Sequence, residues 1–231
     1  MPIFYTPEIE TNGELPADEA RHCIRVLRLK EGDSINLTDG VGNFYKAQIT
    51  LTTSKRCLVE IQEKTTPTAL PFKLHIAMGP TKNMDRNEWF AEKATEIGIS
   101  EITFLNCRYS ERRKLNIERV EKKIVSAMKQ SQKATLPKLN DITSFEDFIT
   151  QEFDGPKFIA HCYKQEKKLL KDLYKLGENA LILIGPEGDF SEEEVELAIE
   201  NNFTPISLGS SRLRTETAAL FACNTINLLN Q

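Results

Sequence analysis

Two loops carry the residues that could hold a ligand and act on it. In the first, an apolar run ends at Gly185-Pro186-Glu187-Gly188, and Ser191 then begins a helix with Glu194 at the capping-box position. Glycines on both sides of a proline give a rigid loop whose backbone can approach a ligand closely. The seven acidic residues between Gly185 and Glu200 disfavour a bound phosphate, and the glycine spacing of phosphate-binding motifs is missing. A tight strand-to-helix turn without a ligand is the alternative interpretation.

The second loop follows the apolar run 205–209 and enters a helix at Arg214-Thr215-Glu216-Thr217, with Thr215 as the expected N-cap. From Ala218 onward the helix is apolar almost all round, which predicts burial against a sheet or a partner subunit. A charged helix start joined to a buried helix body is a rigid support for a site.

Other chemistries find little support in the sequence. The five cysteines lie far apart and form no CxxC pair, so we predict neither a disulfide framework nor a metal site. No serine or cysteine has a credible histidine–acid pair, which disfavours nucleophilic hydrolysis. The start MPIFYTPEIE lacks the features of a signal peptide, and no apolar run is long enough to span a membrane. We therefore expect a cytoplasmic protein without a membrane partner.

Strands and helices alternate after residue 68, and these elements must position the two loops. The predicted strands are 73–79, 101–107, 158–162, 180–185 and 205–209. A helix capped by Asp85 should run to Ile97 and stop at Gly98, and a long basic helix should cover 116–134. Short apolar runs with flanking helices are typical of buried parallel strands. The pattern predicts an α/β domain over 69–231, with ligands at the carboxyl ends of the strands.

Residues 1–68 are predicted to form a separate small β-barrel. Apolar stretches are separated by turn residues, and the predicted strands are 2–5, 34–38, 44–50 and 57–62. One helix, from Asp18 to Leu29, carries Arg21, Arg25 and Arg28 at helical spacing, so they could form one stripe. The stretch from Thr65 to Pro71 combines small polar residues with proline and is the predicted linker.

The charge distribution matters more than the net charge. The formal net charge is −4, so the chain as a whole has no nucleic-acid signature. From Arg108 to Lys138, however, there are ten Lys or Arg and three Glu, in contrast to the acidic stretch that begins at Gly185. This asymmetry predicts either a polarised surface or two ordinary solvated helix faces.

Taken together, these motifs resemble the SPOUT superfamily of methyltransferases, and within it the RsmE family, over nearly the whole chain. The most specific pieces are GPEG with FSEEE, and LG followed by LRTETA. NEWFAEKATEIGISEITFL (87–105) matches the family's first catalytic helix and second strand. HCIRVLRLKEGDSINLTDGVGNFYKAQI (22–49) is similar to the family's PUA-like RNA-binding domain, and MKQSQKATLPKL (128–139) to the stretch after its long basic helix.

The resemblance implies an activity and a fold. The family methylates uridine N3 in small-subunit (16S) ribosomal RNA with S-adenosylmethionine, so the expected partners are that RNA or the small ribosomal subunit. The implied fold is a SPOUT-type, trefoil-knotted parallel sheet over 69–231, after a PUA-like β-barrel over 1–68, in a homodimer. The implied cofactor residues are His161, Ile184, Gly185, Pro186, Glu187, Gly188, Leu208, Gly209, Leu213, Arg214, Thr215 and Thr217.

Methyl transfer to N3 requires alignment of donor and acceptor, exclusion of water, and loss of the N3 proton. Glu216 is the candidate for orienting the substrate or accepting that proton, and Arg214 for holding a phosphate or the uracil oxygens. Asp85, Arg86 and Glu88 begin the first catalytic helix and could also face the site. The predicted RNA-binding residues are Arg21, Arg25, Arg28, Arg108 and Arg112.

Three departures from the family pattern lie near the predicted site. Asp189 stands where the family usually has a second glycine after GPEG. Ser211 stands where it often has a basic residue, and a glycine common before the first catalytic helix is replaced near Asn83-Met84. Two other functions are weighed against the RsmE activity: a non-catalytic RNA-binding ribosome-assembly factor, and a SPOUT methyltransferase acting on transfer RNA.

Overall fold

The computed structural model describes residues 2–231, and these divide into two compact units. The N-terminal unit consists of the residues up to Ala69 together with Val125–Leu136. The α/β unit consists of Leu70–Ile124 and Pro137–Gln231.

The N-terminal unit is built around one four-stranded sheet in the order β1-β2-β3-β4. Its elements are β1 (Ile3–Tyr5), α1 (Ile9–Asn12), α2 (Ala17–Arg21), a π-helix (His22–Val26), β2 (Ser34–Thr38), β3 (Phe44–Thr52) and β4 (Cys57–Thr65). Strands β1 and β2 are parallel, whereas β2, β3 and β4 pair antiparallel. All four strands that the sequence predicted here are present. Apolar and polar residues alternate along β3, so one face of that strand is buried.

A turn between β2 and β3 is closed by a single buried carboxylate. Asp39 accepts hydrogen bonds from the backbone N–H of Val41 (2.9 Å) and of Asn43 (3.0 Å), and from the hydroxyl of buried Tyr45 (2.9 Å). These hydrogen bonds hold the pKa of Asp39 below its usual value, although burial acts in the opposite direction. The turn residues between the predicted strands 34–38 and 44–50 therefore form an ordered part of this unit.

The helix predicted from Asp18 to Leu29 is wrong in its length and type. The α-helix ends at Arg21 and continues as the π-helix, in which the Leu27 N–H donates to the His22 carbonyl (3.0 Å). Arg28 then has a φ of +57°, so it lies outside the helix. Arg21, Arg25 and Arg28 are all exposed, but they do not share one regular helical stripe.

The α/β unit contains an entirely parallel sheet in the order β10-β12-β9-β11-β5-β6-β7, with β8 also paired to β6. Its strands are β5 (Leu74–Met78), β6 (Glu101–Asn106), β7 (Lys138–Leu139), β8 (Thr143–Ser144), β9 (Lys157–Ala160), β10 (Lys168–Leu169), β11 (Ala180–Ile184) and β12 (Phe203–Ser207). Its helices are α3 (Met84–Ile97), α4 (Ile117–Gln130, whose last turns belong to the N-terminal unit), α5 (Phe145–Ile149), α6 (Leu170–Leu173), α7 (Glu192–Glu200) and α8 (Thr215–Leu229).

Helices cover both faces of this sheet, which is why its central strands read as continuous apolar runs. Every residue of β5 and β11 is buried. Leu181 and Leu183 belong to a core cluster with residues of α5 and α7, while α8 packs against α3, β5 and β11. The parallel α/β sheet predicted from the sequence is confirmed.

Two helix boundaries differ from the sequence predictions. Helix α3 is capped by Asn83, whose side chain accepts the Asp85 N–H (3.0 Å), so the predicted cap at Asp85 is wrong by two residues. Asparagine is an equally good cap, and spacing alone does not choose between the two. The long basic helix ends at Gln130 rather than Ala134, because the chain turns at Gln132, which has a φ of +54°.

Helix α8 has one buried face and one exposed face. Ala219, Ala222, Cys223 and Ile226 are buried, whereas Phe221 and Leu228 keep 46% and 62% of their surface exposed. The burial almost all round that the sequence suggested therefore covers only one side of α8 within this chain. Among residues 2–231, no helix combines the length and the apolar character that crossing a membrane requires.

Candidate active site

A cavity of about 840 Å³ lies beyond the carboxyl ends of β9, β11 and β12. It is lined by Arg86, 160–162, Lys167, 184–187, Asp189, 206–215 and Ala218. Three loops thus form its wall: the β9 loop (161–167), the β11 loop (185–190) and the β12 loop (208–214). Parallel strands bring their carboxyl ends to one edge of a sheet, which is where α/β proteins bind ligands.

The β11 loop is packed tightly against its own surroundings. A Cβ added to Gly185 would lie 2.9 Å from Asp189 Oδ1 and 3.0 Å from the Phe190 nitrogen. A Cβ on Gly79 would lie 2.6 Å from the Pro186 nitrogen, and one on Gly188 would lie 2.9 Å from Tyr109 Cβ. The glycines of this loop are therefore needed for close packing within the protein itself. The capping box that follows is present as predicted, with Ser191 and Glu194 exchanging hydrogen bonds.

Asp189 joins the β11 loop to the β9 loop. Its carboxylate accepts the backbone N–H of Cys162 (2.7 Å) through Oδ2 and that of Phe190 (2.8 Å) through Oδ1. Its φ is +67°, a left-handed conformation that glycine adopts at lower cost. This chain therefore uses a carboxylate at a strained position and gains two backbone hydrogen bonds there.

The β9 loop is held from its other end by Lys167. The Lys167 ammonium donates to the carbonyls of His161 (2.5 Å) and Tyr163 (2.9 Å). His161 is 8% exposed, and its Nε2 lies 2.9 Å from the Gln165 side-chain amide. Burial, with the positive charge of Lys167, lowers the pKa of His161 to about 4, so the imidazole is neutral at physiological pH. Both ring nitrogens of His161 have partners within the β9 loop, and the imidazole lines the cavity without a charge.

The β12 loop is open by comparison. Gly209 has a φ of +124°, and a Cβ added there would meet no atom within 4 Å. Residues 209–212 are exposed. The expected N-cap at Thr215 is wrong: Arg214 occupies the cap position without a side-chain cap hydrogen bond to any described residue, and Thr215 is the first residue of α8. The loop therefore delivers a charged helix start to the cavity without a local side-chain cap.

Glu216 is buried behind the cavity wall, and Arg86 lies between it and Glu187. Arg86 Nε is 3.7 Å from Glu216 Oε1, and Arg86 Nη1 is 3.5 Å from Glu187 Oε1. Arg86 lines the cavity, whereas Glu216 does not. This ion-pair cluster brings α3, the β11 loop and α8 together at one corner of the site.

The structure gathers most of the predicted cofactor residues around the one cavity. Ten of the twelve line it; Gly188 instead lies against Tyr109, and Thr217 is exposed on α8. Lys167, Cys162 and Asp189 also line the cavity, although no motif singled out Lys167 or Cys162. Their loop has no recurring pattern, and the family resemblance had named only its first residue, His161. Contact of any of these residues with a cofactor stays a prediction.

The predicted RNA-binding arginines of the α/β unit already have partners within the chain. Arg108 Nη1 lies 3.4 Å from Glu193, and the Arg108 backbone N–H donates to Glu194 (2.8 Å). The Arg112 guanidinium donates two hydrogen bonds to the Lys82 carbonyl, at 2.9 and 2.6 Å. Contact of these two arginines with RNA remains a prediction, and Arg112 has a structural role besides.

Sequence comparison divides the chain into the same two kinds of domain. Residues 15–62 match the family model of the RNA methyltransferase PUA domain, and residues 68–227 match that of the RNA methyltransferase domain. The ribosomal RNA small subunit methyltransferase E of Rickettsia conorii is 32% identical over 94% of this chain and 89% of its own length. That of Bacillus subtilis is 31% identical over 92% and 88%.

Solved structures agree with these sequence matches. A probable rRNA-methyltransferase from Porphyromonas gingivalis superposes with a TM-score of 0.94 and 42% identity, covering 100% of this chain and 98% of that one. The ribosomal RNA small subunit methyltransferase E of Neisseria gonorrhoeae, bound to S-adenosyl methionine, superposes with a TM-score of 0.88 and 28% identity, covering 100% and 98%. The likeness extends over the whole chain. The chain belongs to the ribosomal RNA small subunit methyltransferase E family, the RsmE family that its motifs resemble.

Proposed function

We propose that this protein transfers a methyl group from S-adenosylmethionine to N3 of a uridine in 16S ribosomal RNA, in the cytoplasm. The observation that carries the proposal is the single cavity formed by the β9, β11 and β12 loops, in a chain that belongs to a family of ribosomal RNA methyltransferases. A cavity of this size, lined by apolar side chains, backbone groups and several charged side chains, suits a ligand as large as a nucleoside.

The residues present fit the methyl donor. Backbone groups at 184–187 and 208–213 can hold the adenine and methionine portions, and neutral His161 lines the same cavity without adding a charge. When bound, S-adenosylmethionine supplies an electrophilic methyl group on a sulfonium sulfur. The acidic residues that follow Gly185 in the sequence disfavour a phosphate at the start of α7.

Two of the chain's own residues align the acceptor. We assign Arg214, which lines the cavity at the start of α8, to holding a phosphate or the uracil oxygens. We assign Glu216, which is buried directly after it, to orienting the acceptor site. Uridine N3 normally pairs with adenine, so the base must be unpaired or turned out of its stack to reach the cavity.

The strand order supports a SPOUT-type knotted fold. Strand β11 lies between β5 and β9, yet β12 returns past it to pair with the far side of β9. The chain between β11 and β12 therefore passes over β9, an arrangement that a knotted parallel sheet can contain. We place this knotted domain at 69–231 and a PUA-like RNA-binding domain, with Arg21, Arg25 and Arg28 exposed, at 1–68.

We also propose that the protein is a homodimer through the exposed face of α8. Phe221 and Leu228 lie seven residues apart on that face, so they share one stripe of the helix, and both are largely exposed. Burial of such a stripe against a second copy would remove apolar surface from water. Sedimentation at micromolar concentration should give twice the mass of the chain, and a monomer would contradict this proposal.

Cofactor binding and product mapping test the function together. Calorimetry should detect one S-adenosylmethionine site per chain, and ribosomal RNA from a deletion strain should lack a methyl group on one uridine N3. The loss should be reversed by the wild-type gene. Absence of cofactor binding would instead favour an RNA-binding assembly factor, and an unchanged 16S RNA with altered transfer RNA would favour the transfer-RNA enzyme.

A further inference from the structure

Arg86 is held between two carboxylates that come from different loops. Its guanidinium lies 3.5 Å from Glu187 on the β11 loop and 3.7 Å from Glu216 on α8. Both contacts are long for charge-assisted hydrogen bonds, so neither carboxylate takes up the donor capacity of the guanidinium. Arg86 therefore has N–H groups available for a ligand.

The cation and not the carboxylate faces the cavity. Arg86 lines the cavity wall, whereas Glu216 is 7% exposed and does not. Glu216 Oε2 is buried and has no hydrogen-bond partner among residues 2–231. A carboxylate in this position cannot reach a base in the cavity before Arg86 does, but it can anchor the guanidinium from behind.

The other carboxylate is itself fixed by the backbone. Glu187 Oε2 accepts the Lys82 N–H (2.9 Å), and the Lys82 carbonyl in turn accepts both hydrogen bonds from Arg112. Arg86 stands in the first turn of α3, directly after this segment. The position of the guanidinium is thus set by helix, loop and buried carboxylate together, which is the preorganisation that electrostatic catalysis requires.

Arg214 is a weaker candidate for the same task. It also lines the cavity, but its side chain is exposed and forms no ion pair within the described part of the chain. An unanchored arginine loses side-chain entropy when it orders on a ligand, whereas Arg86 has already been placed.

We propose that Arg86 is a catalytic residue that contacts a carbonyl oxygen of the acceptor uracil, and that Glu216 is the positioning residue that holds it there. The inference rests on the proposed function. As the N3–H bond breaks, its proton passes to water, and the charge that develops on the uracil oxygen faces Arg86. The N3 electron pair forms the N–CH3 bond while the S–CH3 pair stays on sulfur, which leaves a neutral thioether. The guanidinium stabilises the anionic base and is not consumed.

Four variants test the assignment on full-length protein with saturating RNA. Arg86→Gln should lower kcat by about 100-fold, as loss of one preorganised donor does, while calorimetry shows unchanged S-adenosylmethionine affinity. Arg86→Lys keeps the positive charge but loses the planar guanidinium with its paired N–H donors. It should retain about tenfold more activity than Arg86→Gln. Glu216→Gln should cost less than Arg86→Gln, and the double variant should be no slower than Arg86→Gln alone.

The matched control is Arg56→Gln, which removes another arginine–glutamate pair, the one with Glu14 in the N-terminal unit. It should leave both kcat and cofactor affinity unchanged. If Arg86→Gln lowers cofactor affinity in proportion to kcat, Arg86 serves the cofactor and the proposal is wrong. It is equally wrong if Glu216→Gln is the slower single variant and the double variant falls further, since Glu216 would then react itself. Failure of the wild type to methylate N3 would overturn the proposed function instead, and product mapping of the wild type separates the two cases.

Discussion

The β11 loop and the β12 loop line the same cavity but are built in opposite ways. In the β11 loop, Gly185 leaves no room for a side chain, and Asp189 ties the loop to its neighbour through two backbone hydrogen bonds. In the β12 loop, Gly209 has open space around it, and its backbone N–H and carbonyl form hydrogen bonds with the Ser207 hydroxyl, at 3.2 and 3.3 Å. Glycine follows the strand in both loops, yet it serves close packing in one and backbone conformation in the other.

This difference indicates that the β11 loop and the β12 loop contribute to ligand binding in different ways. The β11 loop has its shape before any ligand arrives, so binding need not order it. The β12 loop is exposed over 209–212 and must lose conformational freedom when it closes on a ligand. We therefore expect substitutions in the β11 loop to affect folding and binding together, and substitutions in the β12 loop to affect mainly binding.

Gly185→Ala should give the largest loss of stability. The new methyl group would meet backbone atoms of Asp189 and Phe190 that cannot move independently, and overpacking of this kind costs about 3 kcal/mol. Urea unfolding should show the reduced free energy, and calorimetry should show weakened cofactor binding. A stable variant with wild-type affinity would mean that the β11 loop is as adaptable as the β12 loop.

Acidification should lower the stability of the fold through His161, on the β9 loop. Its pKa is about 4 in the fold and about 6.5 when unfolded, so below pH 6.5 the unfolded chain takes up a proton that the folded chain does not. Stability is therefore lost as the pH falls, by about 2 kcal/mol between pH 6.5 and pH 5. His161→Asn should remove this part of the pH dependence in urea unfolding. His75, whose pKa is also lowered to about 4 by burial, is present in both proteins and cancels in the difference.

Asp189→Gly separates the effect of the two hydrogen bonds that the Asp189 carboxylate accepts from the effect of the backbone strain at this residue. Glycine relieves the left-handed conformation but loses the two hydrogen bonds to Cys162 and Phe190, for a net loss of about 1–2 kcal/mol. The KM for S-adenosylmethionine should rise several-fold while kcat is retained, because the Asp189 carboxylate shapes the cavity and does not touch the acceptor. The KM of Asp189→Asn, which keeps one acceptor oxygen, should lie between those of the wild type and Asp189→Gly. An unchanged KM in Asp189→Gly would show that the β9 loop keeps its shape without the hydrogen bond from Cys162 to Asp189.

Gly209→Ala should have the smallest effect on stability. No atom obstructs the methyl group, so only the strained φ contributes, about 1 kcal/mol. Gly177→Ala is the matched control, because Gly177 also has a positive φ and open space but does not line the cavity. Both should unfold at similar urea concentrations, and only Gly209→Ala should weaken cofactor binding. Equal affinities would argue that the β12 loop does not close on the cofactor.

Periodic and capping signals predicted the framework of the site well. The buried runs of β5 and β11 and the capping box at Ser191 have strong local patterns, and each is present where the sequence placed it. The caps of α3 and α8 were misplaced because several polar residues compete at each helix start, and tertiary contacts decide between them.

The parts of the site that the sequence could not predict depend on contacts between distant segments. Lys167 binds carbonyls of its own irregular loop, and no spacing rule indicates this. Arg86 was expected to face the site from the start of the first catalytic helix, and it does line the cavity. Its two carboxylate partners could not be inferred from spacing, because they lie more than 100 positions away in the chain. The π-helix after Arg21 likewise has no residue signature in this sequence.

The cavity wall includes residues from Arg86 to Ala218, and the strand that completes it, β12, pairs with β9 beyond β11. During translation the earlier strands can assemble while this last segment is still inside the ribosomal exit tunnel. A nascent chain at that stage has the β11 wall but neither the β12 loop nor α8, so it cannot enclose a ligand. The capacity to enclose a ligand should therefore appear only after β12 and α8 have been synthesised, and growing chains that lack them should be inactive toward the ribosomes that make them.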